Sequence, residues 1–148
     1  SMFNAMCFSR AQKIRTLNKG FYCYTIRPSG AFMKKRDAEL VGNKMALLEA
    51  RSNIVNDLNK RGFNFSVKDY AGSNVMSCFE LIIKMPFSAS RETNKYIRNP
   101  IVKESIKVLP FTGRKKVDIP LLALKCNLQA LMIYAVNLGK LFGVQFQL

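Results

Sequence analysis

The stretch FNFSVKDYAGSNVMSCFELIIKMPF, residues 63–87, determines the fold class that we predict from the sequence. FNFSVK alternates strictly between apolar and polar residues. After the turn-rich DYAGSN follows a segment that ends at Pro86, in which Val75, Phe79, Leu81, Ile83 and Met85 mostly share a face. Alternation is typical of a half-buried strand, and a turn between two such runs is typical of a hairpin. We therefore expect two paired strands here, with Phe63, Phe65 and Val67 on the buried face.

A long helix is expected directly before this stretch, from Ala31 to Arg61. One stripe of six residues recurs along it at spacings of three and four residues, which is the period of a helix. Lys60 and Arg61 fall in the last turn, and Gly62 follows as the stop that a helix C-terminus favours. The stripe consists of Val41, Met45, Leu48, Ser52, Val55 and Leu58.

Further elements are predicted on both sides of these two. FYCYTIR, residues 21–27, favours a strand, and SASRETNKYIR, residues 88–98, favours a short helix capped by Ser88 or Ser90. IVKESIKVLPF, residues 101–111, favours another strand, and TGRKK is interpreted as a basic turn or loop. Residues 119–143 favour one long apolar helix, and VQFQL, residues 144–148, favours a short closing strand.

The order β-α-β-β-α-β predicts an α+β fold of the ferredoxin-like type, in which helices pack on a sheet and a long apolar helix follows. We expect a single α+β domain over residues 21–148, preceded by a basic N-terminal arm or short helix over residues 1–20. The uncharged run of 14 residues from Cys126 to Gly139 is shorter than the ~20 residues of a membrane span. The final helix is therefore interpreted as a core helix or a homodimer interface.

The net charge of +15 indicates a polyanionic partner, because 24 Lys and Arg face only 9 Asp and Glu. The excess lies in two blocks, +8 over residues 1–36 and +6 over residues 91–116, whereas residues 37–90 are neutral. Phosphate neutralisation depends on the density of positive charge and not on a strict motif. Nucleic acid is the favoured partner, and an anionic membrane surface is the alternative.

The residue content also excludes several chemistries. The chain has no histidine, and its cysteines, Cys7, Cys23, Cys78 and Cys126, form no CxxC pair. Zinc ligation by Cys and His and all His-based catalysis are thereby excluded. The carboxylates are scattered, and no phosphate-binding loop or nucleophile elbow occurs. We expect a protein without catalytic residues, metal or cofactor, whose reduced thiols indicate the cytoplasm, with the nucleus as the alternative compartment.

RGFNFSVK, residues 61–68, resembles a motif of one family. Arg61, Gly62, Phe63 and Phe65 are similar to the basic-Gly-aromatic-x-aromatic core of RNA recognition motif domains, whose two aromatic residues stack on bases. The intervening positions depart from the family pattern, and the stretch follows the long helix directly instead of lying on a third strand. We therefore interpret Gly62 as a helix stop and both phenylalanines as core residues.

Three basic clusters and two tyrosines are the predicted nucleic-acid-binding residues. The clusters are RAQKIR with the lysine that follows it, MKKR and GRKK, whose charges neutralise phosphates. The tyrosines lie on the predicted strand 21–27 and are candidates for stacking on bases. The full set is Arg10, Lys13, Arg15, Lys19, Tyr22, Tyr24, Lys34, Lys35, Arg36, Arg114, Lys115 and Lys116.

Leu122, Cys126 and Ala130 of the last predicted helix resemble the BC box, the elongin-binding helix of ubiquitin-ligase receptors and of some viral proteins. The resemblance implies an adaptor that captures a host protein through its C-terminal helix. Because this spacing requires only one apolar helix face, a plain core helix is the preferred interpretation.

Together these observations predict a small basic protein that binds nucleic acid, RNA in preference to DNA, with weak sequence specificity. We expect the protein to form a homodimer in which the two copies contact each other through their final helices. High charge and small size suit a viral or phage factor. The alternatives are a matrix-like structural protein that assembles on an acidic membrane and the adaptor described above.

Overall fold

The computed structural model describes residues 37–144, and every regular element in this part of the chain is helical. No strand occurs among these residues, so the predicted α+β, ferredoxin-like fold is wrong there. Two short 3₁₀ helices, Val67–Asp69 and Phe87–Ala89, lie between longer ones. The α-helices are α1 (Asp37–Lys60), α2 (Ala71–Lys84), α3 (Ser90–Ile97), α4 (Pro100–Val108), α5 (Lys115–Lys125) and α6 (Gln129–Leu141).

Helix α1 confirms the predicted long helix and its end. Val41 and Leu48 are buried, and the other residues of the predicted stripe are half-buried. The helix stops at Lys60, and Gly62 follows with a φ of 91°, a left-handed conformation that glycine adopts without strain. The Phe63 amide then donates to a carbonyl of the last turn at 3.2 Å, which completes the C-cap.

The alternating segment after Gly62 is a loop and not a strand. The backbone of Phe65 is hydrogen-bonded to the Asn59 side chain and not to a neighbouring strand. Asn59 Nδ2 donates to the Phe65 carbonyl at 2.9 Å, and the Phe65 backbone amide donates to Asn59 Oδ1 at 2.8 Å. Phe63 and Phe65 are 51% and 41% exposed and stack on each other, so their assignment to the core is wrong. Since residues 37–144 contain no sheet, the resemblance to RNA recognition motif domains does not extend to the fold.

The second strand of the predicted hairpin is the central helix, α2. The hairpin interpretation places Cys78 and Ile82 on the exposed face of a strand, yet both side chains are buried. A helix buries them together with Val75, Phe79, Leu81 and Met85, four of the five residues expected on the core face, because buried positions three or four residues apart lie on one side of a helix. The buried positions of α2 are Ala71, Asn74, Val75, Ser77, Cys78, Phe79, Leu81 and Ile82, and Met85 at its C-cap is buried too.

Helix α3 confirms the short helix predicted after Pro86. Its N-cap is Ala89, so the prediction of Ser88 or Ser90 as the cap is wrong. The serine prediction fails because the 3₁₀ helix Phe87–Ala89 runs directly into α3.

The strand predicted over residues 101–111 is wrong, because Pro100–Val108 form helix α4. Asn99 caps this helix, its Oδ1 accepting from the Ile101 amide at 3.0 Å. Pro100 at the first helical position has the backbone angle that a helix requires. These two residues favour the start of a helix in a segment whose composition is typical of a strand.

The predicted long C-terminal helix is two helices, α5 and α6. Asn127 has a φ of 58°, and the Leu128 amide donates to the Ala123 carbonyl at 2.8 Å, which is the pattern of a left-handed C-cap. The BC-box interpretation requires Leu122, Cys126 and Ala130 on one continuous helix. That requirement fails, because the break separates the first of these residues from the last.

Helix α2 is the centre of the bundle and contacts α1, α3, α4 and α6, while α5 packs against α4 and α6. A buried polar network ties three of these helices together. The Arg51 guanidinium of α1 donates to Asn74 Oδ1 of α2 at 2.7 Å, and Asn74 Nδ2 donates to Ser105 Oγ of α4 at 2.9 Å. Ser105 donates its own proton to the Ile101 carbonyl at 2.8 Å, so each side chain in this network has a partner.

Several predicted elements lie outside the described residues. They are the basic arm 1–20, the strand 21–27, the first residues of the long helix before Asp37, and most of the closing strand 144–148. Val144, the first residue of that last segment, is described and is exposed, with no regular structure.

Candidate nucleic-acid interface

The second basic block folds into α3, α4 and the start of α5, and we call residues 91–116 the cationic segment. All eight of its basic side chains are exposed. None of them forms an ion pair with a carboxylate within residues 37–144, whereas the neutral stretch before it pairs Lys44 and Lys84 with Glu80 and Arg61 with Asp57. The eight residues are Arg91, Lys95, Arg98, Lys103, Lys107, Arg114, Lys115 and Lys116.

Helix α3 and its C-cap residue, Arg98, place three cations on one exposed face. Arg91, Lys95 and Arg98 follow one another at spacings of four and three residues, so they form a stripe along the helix. Tyr96 and Ile97 are buried on the opposite side, which fixes the direction in which the stripe points. The three cations line one broad surface depression.

Helix α4 adds two further cations one turn apart. Lys103 and Lys107 are exposed, while Val102 and Ile106 beside them are buried against the core. The Asn99 cap joins α3 to α4 without a long intervening loop, so the cations of the two helices follow each other closely. Lysines and apolar residues alternate along this segment, and the helix places the lysines on its exposed face and the apolar residues on its buried face.

The α4–α5 loop holds the third group of cations at a helix N-terminus. Asp118 Oδ1 accepts from the Thr112 amide at 2.8 Å and from its hydroxyl at 3.1 Å, and the Arg114 amide donates to the same hydroxyl. The hydrogen bonds to its carboxylate lower the pKa of Asp118 below its ordinary value. The bond from the Thr112 backbone amide has the largest effect. Lys115 and Lys116 occupy the first turn of α5, where the helix dipole opposes positive charge.

One aromatic side chain is exposed beside these cations. Phe111 is 53% exposed in the α4–α5 loop, and the Lys125 ammonium lies 4.9 Å from the centre of its ring. Lys125 is held there because it donates to the Leu109 carbonyl at 2.8 Å. An exposed ring among cations provides the stacking surface that single-stranded nucleic acids use.

A second surface feature is the outer face of α6, which we call the α6 apolar face. Its side chains recur at helical spacing and are between 41% and 83% exposed, while Ile133 on the inner side is buried. Tyr134 also makes an edge-to-face contact with Phe87 at 6.3 Å between ring centres. The face consists of Leu131, Tyr134, Leu138 and Leu141.

Comparisons with protein-family models, with curated proteins and with solved structures found no match to this chain.

Two kinds of site are missing from residues 37–144. They contain no cluster of three or more cysteine or carboxylate side chains that could bind a metal ion. Their helices are also too short or too polar for any of them to cross a membrane.

The structure brings together only part of the predicted binding set. Arg114, Lys115 and Lys116 lie side by side at the start of α5. The remaining predicted residues lie outside the described part of the chain, namely Arg10, Lys13, Arg15, Lys19, Tyr22, Tyr24, Lys34, Lys35 and Arg36.

The exposed cations of α3 and α4, together with Phe111, were missing from the predicted set. The spacing of Arg91, Lys95 and Arg98 was a usable signal, because it fits one helix face. Lys103 and Lys107 give no such signal when their segment is interpreted as a strand. The error in secondary structure thus concealed part of the candidate site.

Proposed function

We propose that the protein binds nucleic acid, single strands in preference to duplexes, through the cationic segment. The observation that supports this proposal best is the exposure of eight cations that form no ion pair within residues 37–144. Such a cluster repels itself in the free protein. Phosphates relieve that repulsion, and the protein's cations release the counterions that are condensed on the nucleic acid. Phe111 adds a stacking surface for an unpaired base.

The arrangement also favours weak sequence specificity. Exposed lysine and arginine side chains are suited to contact phosphates, and phosphate contacts carry no sequence information. The basic residues 1–36 add +8 to the same chain, and they extend the set of charges available to a long strand.

Fluorescence anisotropy with labelled single-stranded RNA, single-stranded DNA and duplexes across a salt series tests this function. The double variant Lys95→Gln/Arg98→Gln removes one charge from α3 and one from its C-cap. We expect this variant to make the negative slope of log K against log salt shallower by about 1.4, since each phosphate contact to a single strand contributes about 0.7. Affinities weaker than millimolar for every nucleic acid at low salt would overturn the proposal.

The matched control is Lys60→Gln/Lys68→Gln, which removes two exposed charges outside the cationic segment. We expect this variant to keep the wild-type slope. An equal decrease in both variants would mean that net charge alone, and no particular segment, determines the binding. Vesicles with and without anionic lipid, measured in parallel, distinguish a nucleic-acid partner from a membrane surface.

We further propose that two copies of the protein associate through the α6 apolar face. Two molecules with a net charge of +15 repel each other, so a stable contact requires a region without charge. The α6 apolar face provides such a region, because residues 126–139 contain no charged residue. In a two-fold symmetric dimer the same surface of each copy faces the other. An uncharged apolar surface can pack against its own copy without charge repulsion.

A further inference from the structure

Phe111 lies in a loop that is fastened to α5 on both sides of its ring. Two residues before it, the Leu109 carbonyl accepts a hydrogen bond from the Lys125 ammonium at 2.8 Å. Directly after it, the Thr112 amide donates to the Asp118 carboxylate at 2.8 Å. The ring itself remains 53% exposed. A loop that is held at two points costs less entropy to use as a binding surface, because it is ordered before a ligand arrives.

All three donors of the Lys125 ammonium find a partner within the protein. The ammonium donates to the Leu109 carbonyl and, at 3.3 Å, to the Lys107 carbonyl. Both carbonyls lie at the C-terminal end of α4, where backbone oxygens lack partners within the helix and attract a cation. The third donor is left for the Phe111 ring, whose centre lies 4.9 Å from the nitrogen. The ammonium therefore has no free donor for a phosphate.

The cation–π contact leaves the Phe111 ring with one open face. The ammonium lies over one side of the ring, so the exposed surface belongs to the other side and to the edges. The attraction between the cation and the π-electrons restrains the rotation of the side chain. Bases stack on aromatic rings that present a face to solvent, and a ring that is already oriented loses less entropy when a base stacks on it.

Two exposed cations flank this ring along the chain. Lys107 precedes Phe111 by four residues, and Arg114 follows it by three. Neither cation forms an ion pair with a carboxylate within residues 37–144. A strand whose base stacks on the ring carries a phosphate on each side of that base, so cations on both sides of Phe111 match the charge pattern of the strand.

We infer that Lys125 is a positioning residue that holds the open face of the Phe111 ring ready for one unpaired base. The inference rests on the function proposed above, because it requires a bound strand. Phe111 contacts the base, Lys107 and Arg114 contact the phosphates beside it, and Lys125 touches neither. A duplex keeps its bases stacked on one another, so a single strand offers its bases to this ring more readily.

A unique fluorophore tests the stacking position. The chain contains no tryptophan, so the Phe111→Trp variant of the full-length protein carries a single one. It is titrated with oligothymidylate and with an abasic strand of the same length, which has the same phosphates but no bases. We expect saturable quenching of the tryptophan fluorescence with oligothymidylate only. The wild type should bind labelled oligothymidylate about tenfold more tightly than the abasic strand, with the same dependence on salt.

The Phe111→Ala variant is the matched control, because it should bind both strands with the affinity that the wild type has for the abasic one. Binding of oligothymidylate without any change in tryptophan fluorescence would overturn the inference and leave the proposed function intact. Absence of binding of either strand would overturn the proposed function, and the inference with it.

Substitutions at Lys125 test its role. Lys125→Gln removes the cation from the ring, and we expect oligothymidylate to bind about fivefold more weakly, with an unchanged salt slope and an unchanged affinity for the abasic strand. Lys107→Gln removes a phosphate contact instead, and it should make the slope shallower by about 0.7 for both strands. Lys125→Arg keeps a cation over the ring and should restore the wild-type affinity.

Three results would contradict a positioning role. A salt slope as shallow for Lys125→Gln as for Lys107→Gln, or an equal loss of affinity for both strands, would identify Lys125 as a phosphate contact. A lower melting temperature of Lys125→Gln, with unchanged affinity for oligothymidylate and unchanged quenching in the Phe111→Trp background, would assign Lys125 to the fold alone.

Discussion

At the scale of single residues, Asn74 links three helices by hydrogen bonds. Its side chain is buried and joins the Arg51 guanidinium to the Ser105 hydroxyl. We expect Asn74→Ala to lower the free energy of unfolding by about 2–3 kcal/mol, because a half-buried guanidinium and a buried hydroxyl each lose a hydrogen bond. Urea denaturation measures this difference.

The control for this prediction is Asn53→Ala, an exposed position on α1. Alanine is the better helix former there, so the control should be neutral or slightly stabilising. Equal stability of the two variants would show that the Arg51–Asn74–Ser105 network contributes nothing measurable to the fold.

Asp118 makes stability depend on pH. Its folded-state pKa lies below the ordinary value of 3.8, mainly because the Thr112 backbone donates a hydrogen bond to the carboxylate. The ionised carboxylate therefore stabilises the fold above pH 3.8, and this contribution disappears as the pH falls through the lower folded-state pKa. We expect Asp118→Ala to melt at a lower temperature than the wild type at pH 7, with a difference that shrinks towards about pH 2.

Thermal melts from neutral pH down to about pH 2 measure this effect. Glu49→Ala is the control, because Glu49 is an exposed carboxylate of α1 without a hydrogen bond or ion pair among the described residues. A difference between Asp118→Ala and the wild type that stays constant across this range would contradict the proposed loop anchor.

At the scale of elements, Asn127 separates α5 from α6. Its φ of 58° is left-handed, and alanine in that conformation loses about 1–2 kcal/mol relative to its preferred one. We expect Asn127→Ala to reduce the free energy of unfolding by about 1 kcal/mol, which is the lower end of that range because asparagine itself bears part of the strain. Asn127→Gly should be neutral or stabilising, since glycine adopts this conformation readily.

Chemical denaturation of both variants checks this prediction. An Asn127→Ala protein as stable as the Asn127→Gly protein would mean that the turn does not require a left-handed residue. The two variants are matched in position, so any difference between them reports on the backbone conformation.

At the scale of the whole molecule, charge and apolar surface occupy different elements. The cationic segment lies on α3, α4 and the start of α5, and the α6 apolar face carries no charge. We expect light scattering to give twice the monomer mass for the wild type and the monomer mass for Leu131→Asp. An introduced carboxylate on a side chain that is 61% exposed is tolerated in the monomer but is costly to bury at an interface.

The control for self-association is Asn53→Asp, which makes the same change in charge on the exposed surface of α1. It should keep the dimer mass. A wild-type protein that stays at the monomer mass over the whole accessible concentration range would contradict the homodimer.

The predictions from sequence succeeded where the spacing of apolar residues and the residues at the helix end indicated the same helix. In α1, the three-and-four spacing, the terminal basic residues and Gly62 all indicate the same helix. In α2 and α4, short apolar runs fit a strand and a helix equally well, and composition favoured the strand. The same ambiguity concealed Lys103 and Lys107, because their common face exists only on a helix.

The sequence by itself determined the long first helix, the neutral and basic blocks, and the exclusion of histidine chemistry. Tertiary structure alone decided that residues 71–84 are the central helix, that Phe63 and Phe65 face solvent, and that Gln129 is buried without a partner for its Oε1 atom among the described residues. The physical reason is that charge and residue content belong to the chain itself, whereas burial depends on which neighbours cover a side chain. Four helices surround α2, and that environment, more than local propensity, selects its helical state.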